Sequence, residues 1–191
     1  MGRPQTFETV EVVRAARAVF WHDGYESASL PDLEQATGLS RSSIYHAFGS
    51  KRGLFDAVVA SYLDEVIRPR LRPLTVVQVE PGALAAYLVG LRAALARPGS
   101  LPATSGCLLI NTAGAPVGRD GAVRDVIAAY RAELRAALGR GVAAHAPDLP
   151  SDQHERLTDT LTALVVAALA LTRVDQPGAL QLLDTAIACG T

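Results

Sequence analysis

SLPDLEQATGLSRSSIYHAFGSKRGLF, residues 29–55, holds the reading of this chain. Ser29 has the side chain of a helix N-cap, and Asp32 stands three residues on, at capping-box spacing. Pro31 falls in the first turn, where a missing N–H costs little. Leu30, Leu33 and Ala36 recur at helical spacing, and Gly38 stands where a left-handed residue ends a helix. Ser40 then caps a second helix, RSSIYHAF, with Ile44 and Phe48 facing inward and Arg41, Ser42, Ser43, Tyr45 and His46 facing out. Ser50 caps a third helix that opens on Lys51 and Arg52. Helix, short glycine turn, helix is the arrangement that lays a second helix into the major groove of DNA.

The outward residues fit that expectation chemically. Arg and Ser hydrogen-bond base edges, while Ser, Tyr and His hold phosphates. Two cations in the first turn of the third helix oppose its macrodipole, by about 0.3–1 kcal/mol each, unless an anion docks on the free N–H groups. The alternative is that Lys51 and Arg52 are solvated surface charges.

Residues 1–67 resemble the N-terminal domain of TetR-family transcriptional repressors. The resemblance rests on Gly2-Arg3-Pro4, the helix ending at Phe20, Gly24-Tyr25-Glu26-Ser27-Ala28-Ser29 and Gly38-Leu39-Ser40, and continues through Ile44-Tyr45-His46, Phe48, Ser50-Lys51 and Leu54-Phe55. Ala47 departs from a position that is often aromatic in the family, and Arg52 from one that is often Glu. The resemblance implies an all-α protein with a DNA-binding helix-turn-helix domain over 1–50, a connecting helix over 51–67, and a ligand-binding and dimerisation domain over 68–191. Its partners would be a palindromic double-stranded DNA operator, a second copy of the chain and a small-molecule effector. The expected DNA contacts are Arg3 in the minor groove, Arg41, Ser42 and Ser43 in the major groove, and Ser29, Tyr45, His46, Lys51 and Arg52 along the backbone.

Composition agrees with the fold class. The chain has 191 residues, 49% of them apolar, and long Ala/Leu/Val runs without period-2 alternation. No apolar run reaches membrane-spanning length and no signal-peptide pattern opens the chain, so the expected location is the cytoplasm, without a membrane partner. Net charge is −1, which is not the balance of a generally basic nucleic-acid binder. Its distribution matters more: Gln35 to Phe55 contains no acid and carries Arg41, Lys51 and Arg52.

Helix 1 is expected over about Phe7–His22, with Phe7, Val10, Val13, Ala16 and Phe20 on one face and Trp21 packed against the helix-turn-helix. The helix from Lys51 is expected to end before Arg68-Pro69, because proline disfavours helix in its predecessor. Pro69, Pro73 and Pro81 then mark a domain junction, followed by helical patterns near 82–97, 104–113, 120–145, 152–174 and 177–189. Leu157, Leu161, Leu164, Val165 and Ala168, with Leu180, Leu183 and Ile187 in the last helix, form apolar stripes. A helix apolar nearly all round needs a second covered face, and the resemblance implies a four-helix dimer interface there; a monomer core is the alternative.

For an effector the expected lining is Tyr87, Leu91, Cys107, Leu108, Asn111, Tyr130 and Leu134. Gly106-Cys107-x-x-x-Asn111 also resembles a segment of a family branch whose members sense electrophiles or oxidants through the cysteine, so Cys107 is either a thiol sensor or a buried apolar residue. A DNA-bound adaptor contacting a protein is a further alternative. The four histidines are scattered, with no H-E-x-x-H, C-x-x-C or nucleophile-elbow pattern, so no catalytic residue, metal site or cofactor is expected.

Overall fold

The computed structural model describes residues 6–190, and every regular element among them is helical. Four helices form the N-terminal part: α1 Thr6–Ser27, α2 Leu30–Thr37, α3 Arg41–Phe48 and α4 Lys51–Tyr62. A π turn, Leu63–Ile67, joins α4 to α5, Arg68–Thr75. The rest comprises α6 Ala83–Ala96, α7 Leu101–Ser105, α8 Leu108–Ala113, a 3-10 turn Pro116–Arg119, α9 Gly121–His145, α10 Ser151–Leu171 and α11 Gln176–Cys189.

The helix expected to stop before Arg68-Pro69 therefore continues. The wide π turn shifts the hydrogen-bond pattern, so Pro69 arrives at the start of a new helical segment, where its missing N–H is tolerated. Arg140 of α9 covers the far end of α5, its Nε donating to the carbonyl of Leu74 at 3.0 Å and its Nη2 to that of Val76. The single helix expected over 104–113 is instead two, broken at Gly106 and Cys107. Gly106 has φ +63, and a Cβ there would stand 2.3 Å from the Leu169 carbonyl oxygen, so only glycine lets this bend lie against α10.

The N-terminal core is built on Phe20, Leu33, Ile44, Leu54 and Phe55, with Phe20 and Phe55 edge-to-face at 5.2 Å. On α1, Val13, Ala16 and Phe20 are buried as the periodicity requires, but Val10 is 43% exposed and Val12 takes the inward place. Ala36 is exposed at the end of α2, and the Phe7 side chain lies outside the described part. In the C-terminal body, Leu84 and Leu88 of α6, Leu138 and Val142 of α9, and helices α10 and α11 make the second core. Leu161, Val165, Ala168 and Leu183 are completely enclosed within their own chain, which corrects their expected place at a dimer interface. Both apolar faces of α10 look alike in sequence, and only packing reveals which one the chain itself uses.

Candidate nucleic-acid interface and the cavity behind it

The helix-turn-helix is held by local chemistry. Ser29 accepts from the Asp32 N–H, and Asp32 accepts from the Ser29 N–H at 3.1 Å, completing a capping box. The paired Ser29 also holds the Asp32 carboxyl below its usual range. Gly38 adopts φ 69, ψ 8 and donates to the Glu34 carbonyl, ending α2 with room to turn at once into α3. Ser40 caps α3 by accepting from the Ser43 N–H, and its hydroxyl also meets those of Ser42 and Ser43, each at 2.9 Å.

On α3, Ile44 is buried and Phe48 half-buried, which turns Arg41, Ser42, Ser43 and His46 to solvent and leaves Tyr45 half-buried. Arg41 lies over the Tyr45 ring, 5.5 Å from its centroid. The outer face thus gathers a guanidinium, hydroxyls and an imidazole on one short helix whose inner side is anchored. Ser29 stands apart: its hydroxyl is engaged with Asp32. Arg3 lies outside the described residues.

Lys51 and Arg52 are not the free pair that their sequence positions suggest. Lys51 sits 4.7 Å from the Tyr25 ring and reaches the Glu26 carbonyl, so the carboxyl end of α1 relieves its conflict with the α4 dipole. Burial lowers its pKa, against the pull of Glu26. Arg52 is held by Asp56 at 2.8 Å and by Asp120, the N-cap of α9, at 3.0 Å. This corrects the expectation of a free phosphate partner at Arg52: two carboxylates occupy its donors. In return, the Arg52 hydrogen bond keeps the Asp120 carboxyl at about 2.

The Arg52–Asp120 pair is one of several bonds between the N-terminal helices and the body. The Val117 N–H donates to the Glu26 carboxylate at 2.7 Å, and Arg173 donates to the His22 carbonyl at 3.1 Å. Trp21 donates from Nε1 to the Gly106 carbonyl at 3.1 Å and packs edge-on against Tyr62 at 4.8 Å. Trp21 is core, as its sequence context suggests, but it joins the helix-turn-helix to the body rather than only closing it.

Behind Trp21 lies a narrow internal pocket with a free volume of about 20 Å³. Tyr87, Leu91, Cys107, Tyr130 and Leu134 line it, whereas Leu108 and Asn111 border a separate cleft under the end of α1. The Asn111 amide donates to the Ser105 carbonyl at 2.6 Å, bracing the bend around Gly106 instead of facing the cavity. Cys107 is fully buried, donating weakly to the Tyr130 hydroxyl at 3.9 Å. Burial first, and the neighbouring Cys107 second, push the Tyr62 and Tyr130 phenols well up. Tyr62, Arg70 and Trp21 also line the cavity and had not been picked out in sequence. A Trp inside a helix reads as core, and the π turn hides the shared phase of Tyr62 and Arg70. Among the described residues no group of three or more His, Cys, Asp or Glu is arranged to hold a metal, and no helix is long and apolar enough to cross a membrane.

These features define a class: a helix-turn-helix unit latched onto a helical body with a narrow pocket behind the joint. The comparisons give the family. A family model for bacterial regulatory proteins of the tetR family matches residues 12–58. The HTH-type transcriptional repressor ComR of Escherichia coli is 43% identical over 63 residues, 33% of this chain and 30% of that protein, so this match spans about a third of each. Over nearly the whole length, a cysteine mutant of the TetR family transcriptional regulator CifR, complexed with 26-base-pair double-strand operator DNA, is similar in structure. Its TM-score is 0.77 at 30% identity, covering 97% of this chain and 98% of CifR. A TetR transcriptional regulator from Chloroflexus aurantiacus has a TM-score of 0.73 at 28% identity, covering 95% of this chain and 91% of its own. The chain belongs to the TetR family.

Proposed function

We propose that this protein is a sequence-specific transcriptional repressor that binds a palindromic operator as a homodimer in the cytoplasm and leaves it when a small molecule enters the body. The observation that carries this reading is the outer face of α3, with Arg41, Ser42, Ser43 and His46 exposed over an anchored Ile44, in a chain that aligns along its length with operator-bound CifR. In this reading Arg41 and the two serines read base edges, while Tyr45, His46 and Lys51 hold the backbone. Half-exposed Leu157, Leu164 and Val166 on α10 and Leu180 on α11 supply an apolar face for a second copy. A dimer would set two α3 helices on half-sites about one turn, or a multiple, apart.

Release is supported by the route from cavity to DNA unit. Trp21 both lines the cavity and bonds to Gly106, so a ligand that displaced it would move α1 directly. The test is selection of bound sequences from random duplex DNA at two salt concentrations. A recovered palindrome whose binding falls steeply with salt supports the reading. No enriched sequence from folded dimer overturns it.

A further inference from the structure

A cleft of about 170 Å³ lies between α4 of the DNA-reading unit and helices α8 and α9 of the body. Val59 of α4, Leu109 of α8 and Val123 of α9 make the deep part of its wall, each 8% exposed or less. Val126 and Ile127 stand half-buried beside them, and Asp56 and Ala122 are exposed at the mouth. The pocket behind Trp21, at about 20 Å³, has room for about one water.

The polar groups of the cleft are already engaged. The Thr112 hydroxyl donates to the Leu108 carbonyl at 2.7 Å, and Asp56 is held by Arg52 at 2.8 Å. A water among Val59, Leu109, Val123 and Ile127 would lack most of the roughly two to four polar partners that hold buried water. An apolar space of about 150 Å³ stays dry and admits a benzene-sized molecule. Packed interiors leave few voids beyond the size of a water, so the room at this joint suits a guest of that size.

Its position gives such a guest leverage. Arg52, which binds Asp56, also reaches Asp120, the N-cap of the α9 that supplies Val123 and Ile127. Helix α8 begins two residues after Gly106, whose carbonyl takes the Trp21 N–H. A molecule that parted α4 from α8 and α9 would strain two of the bonds that hold the DNA unit to the body.

We propose that this cleft receives the effector, and that the effector is a small neutral apolar molecule, a single ring or a short chain, lying against Val59, Leu109, Val123, Val126 and Ile127. The inference rests on the effector-released reading above and names the place and chemistry of that effector. A carboxylate would meet Asp56 at the mouth, and an ammonium would have to compete with Arg52 for it; either ion would lose water to an apolar wall.

The test is methyl NMR titration of the full-length protein with toluene, benzylamine and benzoate, with operator release followed in parallel by fluorescence anisotropy. Toluene is expected to shift the methyls of Val59, Leu109, Val123, Val126 and Ile127 saturably, leaving those of Leu91 and Leu134 behind Trp21 in place. Benzylamine and benzoate should bind about tenfold or more weakly, since each must bury a charge. Val126→Phe and Ala122→Leu each put side-chain bulk into the cleft, the second from an exposed position, and should abolish toluene binding. Melting and operator binding of the unliganded variants report that the fold is kept. No saturable shift, shifts confined to the pocket behind Trp21, undiminished binding in the folded variants, or tighter binding of either ion overturns the proposal. Toluene held in the cleft without operator release keeps the site and overturns the release reading; release by toluene in the folded variants keeps that reading and overturns the site.

Discussion

Trp21 and Gly106 lie 85 residues apart, and the indole N–H of one donates to the carbonyl of the other at 3.1 Å. The bond joins α1 to the peptide immediately before Cys107, with the edge of the indole on Tyr62 completing the contact. A DNA-reading unit and a cavity wall therefore share one side chain.

Replacing that side chain tests the joint. Trp21→Phe keeps most of the apolar contact and leaves a buried carbonyl without its donor, at a cost of about 1–3 kcal/mol. Urea unfolding should show this loss. Operator affinity at saturating protein stability should change little, while effector-induced release should weaken; unchanged release would remove Trp21 from the route.

Gly106→Ala should be more damaging. The substitution combines a φ of +63 with a Cβ 2.3 Å from the Leu169 carbonyl oxygen, so the bend and α10 must separate. A loss of about 3 kcal/mol or more is expected, in the range of strained-backbone and overpacking changes. A melting temperature within a degree or two of wild type would contradict the tight approach.

The α3 face makes a paired prediction. Arg41→Ala should relax base preference and cost about 1–3 kcal/mol of operator binding. Lys51→Ala should weaken all sequences alike and reduce the salt slope by about one. The check is a binding titration on the selected operator and on point-mutated operators; a changed base preference with Lys51→Ala would reassign that residue to base reading.

Acid should act on the Arg52–Asp120 pair in a defined window. The folded-state Asp120 carboxyl sits at about 2, below its ordinary 3.8, so the pair supports the fold fully above pH 4. The support fades as pH falls toward 2, because the unfolded chain takes up the proton first. Asp120→Asn should therefore be less stable than wild type at neutral pH, with the difference shrinking as pH falls from 4 to 2. The same substitution should leave α9 capped, since Asn also serves as an N-cap. A constant difference across that window would exclude the ion pair as its source.

The two cysteines should separate cleanly. Cys189 is exposed and Cys107 buried, so a thiol reagent should modify one site quickly and the other only on opening of the body. Mass spectrometry of partially alkylated native protein checks this. Prompt modification of Cys107, with loss of operator binding, would instead favour the thiol-sensing alternative.

The helix-turn-helix was readable because its determinants are local. Ser29, Asp32, Gly38, Ser40 and Ser50 each act within a turn of their own position, and all take the roles that their spacing suggests. The cavity was only partly readable. Tyr87, Leu91, Tyr130 and Leu134 announce themselves as large residues on apolar faces, whereas Trp21 and Arg70 come from elements whose orientation depends on distant packing. Arg52 divides the same way: Asp56, four residues on at helical ion-pair spacing, was within reach of a sequence reading, whereas its second partner Asp120 is 68 residues away. On α10, sequence could say that two faces were apolar and could not say which belonged to the chain itself.

The π turn at Leu63–Ile67 has a consequence for the cavity's chemistry. Eight residues of ordinary α-helix carry a side chain through about 800°, leaving positions 62 and 70 about 80° out of phase. A wide turn absorbs roughly one residue of that rotation and brings Tyr62 and Arg70 back to a common bearing. The segment works as a phase shifter: it contributes Ile67 to the pocket wall and brings Arg70 round to the same wall. Deleting one residue from it would restore the regular winding and swing Arg70 by about 100°, away from the wall it shares with Tyr62 and Tyr87.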